Sequence, residues 1–198
     1  MAKDEPAFRE VMPGIWVVRT FAHYQERGII SKIQNRMPCN IFILDEGEYL
    51  TVFDAGWSGQ DNLQKFTEAL KAMGRAPKDI KYLIISHWHL DHTGLVNQIK
   101  AISGCKVVAQ AQDVAYMTHE KKLTQQDVEE RLKKSNFLIR SLAKVLGITS
   151  EPGSENLPVQ ADPFQVDLQV DEQMQIGKWN IIHTPGHSAG SLALFEPE

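Results

Sequence analysis

Cysteine is scarce in this chain, and no long apolar or basic run occurs. Only two of the 198 residues are cysteines, Cys39 and Cys105, which are too isolated to form a disulfide framework or a CxxC redox motif. The net charge of −4 gives no electrostatic reason to expect a nucleic-acid partner. No apolar stretch is long enough for a membrane span, and the first residues are polar and acidic, unlike a signal peptide. These absences predict a cytoplasmic protein with no nucleic-acid or membrane partner.

The remaining composition is that of an ordinary globular protein. Hydrophobic residues make up 42% of the chain and charged residues 23%. A chain of 198 residues can bury one substantial core but is short for two domains. We therefore expect a single domain over residues 1–198.

Histidine is concentrated in one short stretch, residues 86–94, which reads SHWHLDHTG. Its candidate metal ligands are His87, His89, Asp91 and His92. The apolar run Tyr82–Ile85 precedes it and is typical of a strand buried on both faces, as in parallel sheets. Ligand sites in such sheets lie just beyond the carboxyl ends of the strands, and side chains two apart in extended backbone leave the same face. Imidazole and carboxylate ligands together suit zinc, iron, manganese or nickel.

The elements around this stretch alternate between strand and helix. A predicted β-hairpin over residues 39–53 ends at Asp54, a second carboxylate at a strand end. Apolar residues at helical spacing predict a helix over 62–73 and another over 95–102, and Lys106–Ala109 reads as the next strand. This order is a βαβ arrangement, so we expect an α/β fold with parallel pairing.

Three segments carry weaker signals. Residues 112–147 hold an apolar stripe at helical spacing and predict a helical insertion, which could act as a lid or as a homo-oligomer contact. The polar segment Phe21–Pro38 reads as a long loop that could contribute to specificity. Residues 150–163 are rich in Pro, Gly and Ser and read as a linker.

A third motif places another histidine at a strand end. The predicted strand Trp179–His183 runs into the tight turn Thr184-Pro185-Gly186-His187. Two such turns can meet at the rim of one pair of sheets. His183 lies four residues from His187, but on a strand that spacing does not bring both side chains to one ion.

Taken together, the HxHxDH run at 87–92, the upstream Asp54-Ala55-Gly56 and the downstream Thr184-Pro185-Gly186-His187 resemble the metallo-β-lactamase superfamily. The match in motif order and spacing extends from about Met12 to Phe195. The resemblance implies an αββα sandwich with a metal site between the two sheet edges. The first metal would be bound by His87, His89 and His187, and the second by Asp91 and His92. Asp54 would orient the histidine loop, although it could instead be the N-cap of the following helix.

The resemblance also implies a reaction. Three neutral imidazoles leave an open position on zinc, as in catalytic sites, and a zinc-bound hydroxide would attack the carbonyl carbon of a lactone, a thioester or a similar small substrate. Asp91 would steer the attacking water and pass a proton to the leaving group. The expected cofactor is one or two zinc ions, with iron or manganese as alternatives. The sequence indicates no substrate-binding residues.

The chain departs from the family pattern near Glu198. Binuclear members of the family carry a bridging aspartate after the next strand and a further histidine beyond it, and this chain ends before either. We therefore expect a C-terminally incomplete sandwich whose second metal site has only Asp91 and His92 as ligands. Two other functions remain open: a mononuclear iron oxygenase similar to the persulfide dioxygenases, and a truncated, inactive metal-binding fragment.

Overall fold

Two sheets and several helices form the part of the chain that the structure describes. The structure is a computed structural model and describes residues 6–22, 38–122, 160–171 and 174–197. The larger sheet contains, in spatial order, β1 (Phe8–Met12), β2 (Ile15–Phe21), β3 (Pro38–Asp45), β4 (Leu50–Phe53), β5 (Ile80–Ile84), β6 (Lys106–Gln110) and β7 (Leu168–Val170). The smaller sheet contains β8 (Gln175–Ile176), β9 (Trp179–His183) and β10 (Leu192–Phe195), with β9 in the middle. The helices are α1 (Gln60–Ala72), α2 (Leu90–Thr93), α3 (Val96–Ser103) and α4 (Ala111–Met117), and a 3₁₀ turn spans Pro77–Asp79.

The larger sheet changes from antiparallel to parallel pairing at β4. Strands β1 to β4 pair antiparallel with their neighbours, and β3 and β4 form the predicted hairpin. Strands β4 to β7 pair in parallel. Helix α1 connects β4 to β5, and α2 and α3 connect β5 to β6, because parallel neighbours need a long crossover. The predicted βαβ arrangement is confirmed.

Helix α1 shows why the local sequence folds this way. Leu63, Phe66 and Leu70 are spaced three and four residues apart, so they form one apolar face. Phe66 and Leu70 are fully buried against the sheet. The helix ends before Gly74, whose φ of 71° lies in the left-handed region that glycine adopts readily. The predicted helix over 62–73 is therefore confirmed, with bounds shifted by one or two residues.

The larger sheet has an apolar core on each of its two faces. The larger core includes residues of α1, α3 and one face of the large sheet, among them Phe66, Leu83 and Ile99. The smaller core joins the opposite face of that sheet to the small sheet, through residues such as Val108 and Ile181. The described residues therefore stack in three layers: helices, the larger sheet and the smaller sheet. This arrangement is a sandwich, and the edge that carries the histidine motifs lies between the two sheets.

Parts of three predicted segments lie outside the described residues. They are 23–37 of the predicted loop, 123–147 of the predicted insertion and 150–159 of the predicted linker. The first residues of the insertion are helical, since α4 covers Ala111–Met117. Among the described helices, none combines the length and the apolar character that crossing a membrane requires.

Candidate metal centre

The first two motifs meet because β4 and β5 are parallel neighbours. Both strands end at the same edge of the sheet, and the Asp54 amide donates to the carbonyl of Ile84 at 2.8 Å. The chain then turns, and the Ala55 amide donates to the carbonyl of His92 at 2.8 Å. These backbone bonds place the Asp54 carboxylate beside the histidine loop that follows β5.

A buried carboxylate on α4 connects this loop to the third motif. Asp113 is fully buried and accepts hydrogen bonds from the Ser188 hydroxyl (2.6 Å), the Gly190 amide (2.8 Å) and the Trp88 amide (3.3 Å). Trp88 lies in the first histidine loop, and Ser188 directly follows His187. A Cβ atom at position 190 would lie 2.7 Å from Cγ of Asp113, so the close approach requires glycine there. Asp113 therefore sets the distance between the two histidine-bearing loops.

Three imidazoles from these loops surround one point. The ring centroids are 4.7 Å apart for His87 and His89, 4.7 Å for His87 and His187, and 4.6 Å for His89 and His187. The rings are nearly perpendicular to one another, at 80–88°. Nδ1 of His89 lies 2.9 Å from Nε2 of His187. One nitrogen from each of the three residues lies within 4.8 Å of the others.

One nitrogen of this group is buried with no hydrogen-bond partner. His87 is 7% exposed, its Nδ1 lies 3.0 Å from the Ser86 hydroxyl, and its Nε2 has no partner among the described residues. Burial, followed by the positive charge of His92, lowers the pKa of His87 to about 3, so its imidazole is neutral at neutral pH. A neutral imidazole nitrogen with a free lone pair is the form that binds zinc, so these residues fit a metal ion.

Asp54 organises the neighbouring histidine. Its carboxylate accepts from the Ser86 amide (2.8 Å), the Ser86 hydroxyl (2.9 Å) and Nδ1 of His92 (2.7 Å). Asp54 is 4% exposed and has a φ of 65°, a left-handed conformation that aspartate tolerates better than most residues. Burial alone would lower the pKa of His92, but its hydrogen bonds to Asp54 and Asp91 outweigh burial and raise the pKa to about 12.

The structure therefore shows Asp54 in contact with the histidine loop and not in a helix cap. The N-cap of α1 is Gly59, and no side chain caps that end. His183 lies apart from the three-imidazole group, and its Nε2 contacts the carbonyl of Ala189 at 2.8 Å. Trp88 is 4% exposed and stacks on Tyr116, so it packs in the core.

A second group of candidate ligands consists of Cys39, Asp91 and His92. Nε2 of His92 lies 3.4 Å from Oδ2 of Asp91 and 3.7 Å from Sγ of Cys39. The two groups are adjacent, since the rings of His87 and His92 are 4.1 Å apart. The structure thus brings every sequence-predicted site residue to one edge.

Sequence reasoning did not identify Cys39 or Asp113 as site residues. A usable signal existed for Cys39, because the predicted hairpin places the first residues of β3 opposite the residues that follow β4. Asp113 gave no such signal, since an acidic residue in the first turn of a helix is common.

A two-sheet sandwich with a histidine cluster at the edge of its sheets defines a class of metal-binding proteins. The chain belongs to the metallo-beta-lactamase superfamily, whose family model matches residues 35–198. A Bacillus subtilis protein named "Probable metallo-hydrolase YqjP" is 23% identical over 163 residues, which are 78% of this chain and 48% of that protein. The N-acyl homoserine lactonase AttM of Agrobacterium fabrum is 38% identical over 52 residues, 26% of this chain and 20% of the lactonase.

Solved structures share the fold. A metallo-beta-lactamase from Cronobacter sakazakii superposes with a TM-score of 0.62 at 21% identity, covering 95% of this chain and 58% of that one. A metallo-beta-lactamase family protein from Thermus thermophilus gives 0.61 at 17% identity, covering 94% and 56%. The predicted family and the predicted α/β sandwich are confirmed. The chain spans about half the length of the relatives it matches over most of its own length.

Proposed function

We propose that this chain is a metal-dependent hydrolase of small carbonyl substrates, lactones or thioesters, whose first metal ion is bound by His87, His89 and His187. The observation that carries the proposal is the buried Nε2 of His87, which has no partner in the described structure and belongs to a group of three converging imidazoles. Zinc suits a site of neutral imidazoles. Three protein ligands leave a further position for water or substrate, as catalytic sites require.

When bound, zinc would supply two effects: a lower pKa for its water ligand and polarisation of the substrate carbonyl. The chain's own residues would position the reacting groups and transfer protons between them. Asp91 is partly exposed beside the three-imidazole group, and although burial opposes it, the hydrogen bond from His92 lowers the pKa of Asp91. A carboxylate at neutral pH can accept a proton from water and deliver it to the leaving group.

Lactones are favoured by the local similarity to the N-acyl homoserine lactonase AttM, at 38% identity over 52 residues. That similarity covers only 26% of this chain, so it supports a substrate class rather than one compound. A small molecule, rather than nucleic acid, is also favoured by the net charge of −4.

The test combines metal analysis with substrate turnover. Protein purified without added metal is analysed for zinc, iron and manganese, then assayed on an acyl homoserine lactone and a thioester. We expect His87→Ala and His89→Ala to lose bound zinc and hydrolysis together. The matched control is His119→Asn, because His119 contacts the carbonyl of Ala161 away from the cluster and asparagine tolerates its φ of 63°.

Two outcomes would contradict the proposal. Full hydrolysis in either cluster variant would exclude the three-imidazole site as the catalytic metal site. Bound iron, with oxygen consumption on a persulfide and no hydrolysis, would instead favour the oxygenase alternative.

A further inference from the structure

We infer that Ser86 is a positioning residue of the proposed metal centre, because its hydroxyl group connects the Asp54 carboxylate to Nδ1 of His87 and thereby leaves Nε2 as the metal-binding nitrogen of that ring. The inference rests on the proposed function, since it concerns a ligand of the same centre. Ser86 directly precedes the first histidine of the cluster and is not itself a candidate ligand.

The backbone of Ser86 is held in place from both sheets. Its amide donates to Oδ1 of Asp54 at 2.8 Å, and its carbonyl accepts from the Leu192 amide of β10 at 2.9 Å. The amide of the preceding Ile85 donates to the carbonyl of Val108 in β6 at 2.9 Å. Only 9% of Ser86 is exposed, so its hydroxyl group has to find its hydrogen-bond partners inside the protein.

Three polar groups surround the hydroxyl oxygen of Ser86. Oδ2 of Asp54 lies 2.9 Å away, Nδ1 of His87 lies 3.0 Å away and Nδ1 of His92 lies 3.4 Å away. A hydroxyl group has one proton to donate and two lone pairs with which to accept. Because a carboxylate can only accept, the Ser86 proton points to Asp54, and the Ser86 oxygen is left as an acceptor.

The direction of this hydroxyl proton decides which nitrogen of His87 is protonated. A neutral imidazole carries its proton on one ring nitrogen and a lone pair on the other. A lone pair on Nδ1 would face the lone pairs of the Ser86 oxygen at 3.0 Å, whereas a proton on Nδ1 completes a hydrogen bond there. The proton therefore belongs on Nδ1, and the lone pair belongs on Nε2, which is buried without a hydrogen-bond partner among the described residues. The choice lies between two neutral forms of the ring, so it involves no change of charge.

The resulting chain of contacts gives His87 the partner that a metal-binding histidine needs. Such a histidine donates its other ring N–H to an oxygen atom, which fixes both the ring orientation and the tautomer. His92 reaches the Asp54 carboxylate directly at 2.7 Å, whereas His87 reaches the same carboxylate through the Ser86 hydroxyl group. One carboxylate thus orients a ring in each of the two groups of candidate ligands.

The tautomer is read directly in metal-free protein that carries isotope-labelled histidine, by long-range proton–nitrogen correlation spectra. The His87 signals are assigned by their loss in His87→Asn. We expect a protonated Nδ1 in the wild-type protein and in Ser86→Thr, which keeps the hydroxyl group. Ser86→Ala should show a protonated Nε2 or a mixture of both forms, because Nδ1 has lost its acceptor.

Zinc affinity is measured on the same proteins by competition with a chelating dye. It should fall about 10- to 100-fold in Ser86→Ala and stay near the wild-type value in Ser86→Thr. The matched control is Ser103→Ala, because the Ser103 hydroxyl donates to the Ile99 carbonyl at 2.6 Å, before β6 and at the opposite end of the parallel strands from the histidine loop. Ser103→Ala should keep both the His87 tautomer and the zinc affinity.

The outcomes separate this inference from the proposed function. A protonated Nε2 of His87 in the wild-type protein would overturn the inference, and that spectrum answers the question even if the alanine variant fails to fold. In a folded Ser86→Ala variant, an unchanged tautomer or an unchanged zinc affinity would overturn it as well. Wild-type protein that binds no zinc would instead contradict the proposed function.

Discussion

Among single side chains, Asp54 connects the end of β4 to the histidine loop. It fixes the second residue after β5 through the Ser86 amide and the orientation of His92 through Nδ1. Its left-handed φ of 65° turns the chain sharply at the end of β4, which is how the carboxylate reaches both partners. Asp54 therefore acts through other residues, as a positioning group for the metal centre.

Replacing Asp54 with asparagine should weaken metal binding. The amide retains the size of the side chain but accepts a weaker hydrogen bond from His92, and loss of such a partner typically costs about 10- to 100-fold in metal affinity or activity. Zinc affinity is measured by competition with a chelating dye, with Asp61→Asn on the exposed start of α1 as the control. Unchanged affinity in Asp54→Asn would show that His92 does not need this partner.

The histidine cluster could be predicted from sequence because its members are close together in the chain. HxHxDH directly follows an apolar strand, so short-range patterning alone places those ligands at a sheet edge. The predicted hairpin places Cys39 opposite the residues that follow β4, but short-range patterning does not show its contact with His92, 53 positions away. The contact of Asp113 with Ser188, 75 positions away, depends on the placement of α4, which local propensity does not determine.

At the scale of elements, the centre is assembled from two loops that a third element holds together. Helix α4 follows β6, the strand beside β5, so its first turn lies next to the histidine loop. The buried Asp113 carboxylate uses this position to bind Trp88 in one loop and Ser188 and Gly190 in the other. The predicted βαβ order gave the neighbouring strands, but not this connection between loops.

Asp113→Asn should therefore affect stability and metal binding together. Asparagine cannot accept all three hydrogen bonds, and a buried donor left unpaired costs about 1–3 kcal/mol of unfolding free energy. We also expect weaker binding of the first zinc equivalent, since the His187 loop loses its anchor. Urea unfolding and zinc titration are compared with Gln112→Ala, an exposed neighbour that should change stability by less than about 0.5 kcal/mol. A loss of stability with zinc affinity intact would show that Asp113 serves folding only.

At the scale of the whole molecule, the Asp167 side chain connects the described residues 160–171 to β6 and to α3, the helix before it. Its carboxylate accepts from the Val107 amide at 2.8 Å and from Lys100 at 2.6 Å. Burial would raise the pKa of Asp167, but the Lys100 and Val107 hydrogen bonds lower it below its ordinary value. A carboxyl group whose pKa is lower in the folded state stabilises the fold above its unfolded pKa, and this stabilisation is lost as the pH falls through the folded pKa.

The pH dependence of Asp167→Asn should follow that sign. At pH 7 the variant should lose about 0.5–1 kcal/mol of unfolding free energy, a modest value because the Asp167 side chain is 33% exposed. The difference from wild type should shrink as the pH falls below about 3.9, the ordinary pKa of aspartate, and through the lower pKa of the folded Asp167 carboxyl group. Asp162→Asn, at an exposed position in the same segment, is the control and should keep the wild-type unfolding free energy at pH 7. A difference that stays constant over this pH range would mean that packing, rather than charge, accounts for the loss.

The second sheet offers a test of the sandwich itself, because neighbouring residues of β9 face opposite sides. Ile181 is 3% exposed and lies in the core between the sheets, whereas Ile182 is 43% exposed on the outer face. Ile181→Thr should cost about 2–4 kcal/mol of unfolding free energy, from lost apolar burial and a buried hydroxyl. Ile182→Thr should cost less than about 0.5 kcal/mol, since the side chain is already largely in water. Urea unfolding of the two variants measures both, and equal losses would mean that the outer face is also covered and that the sheet packs on two sides.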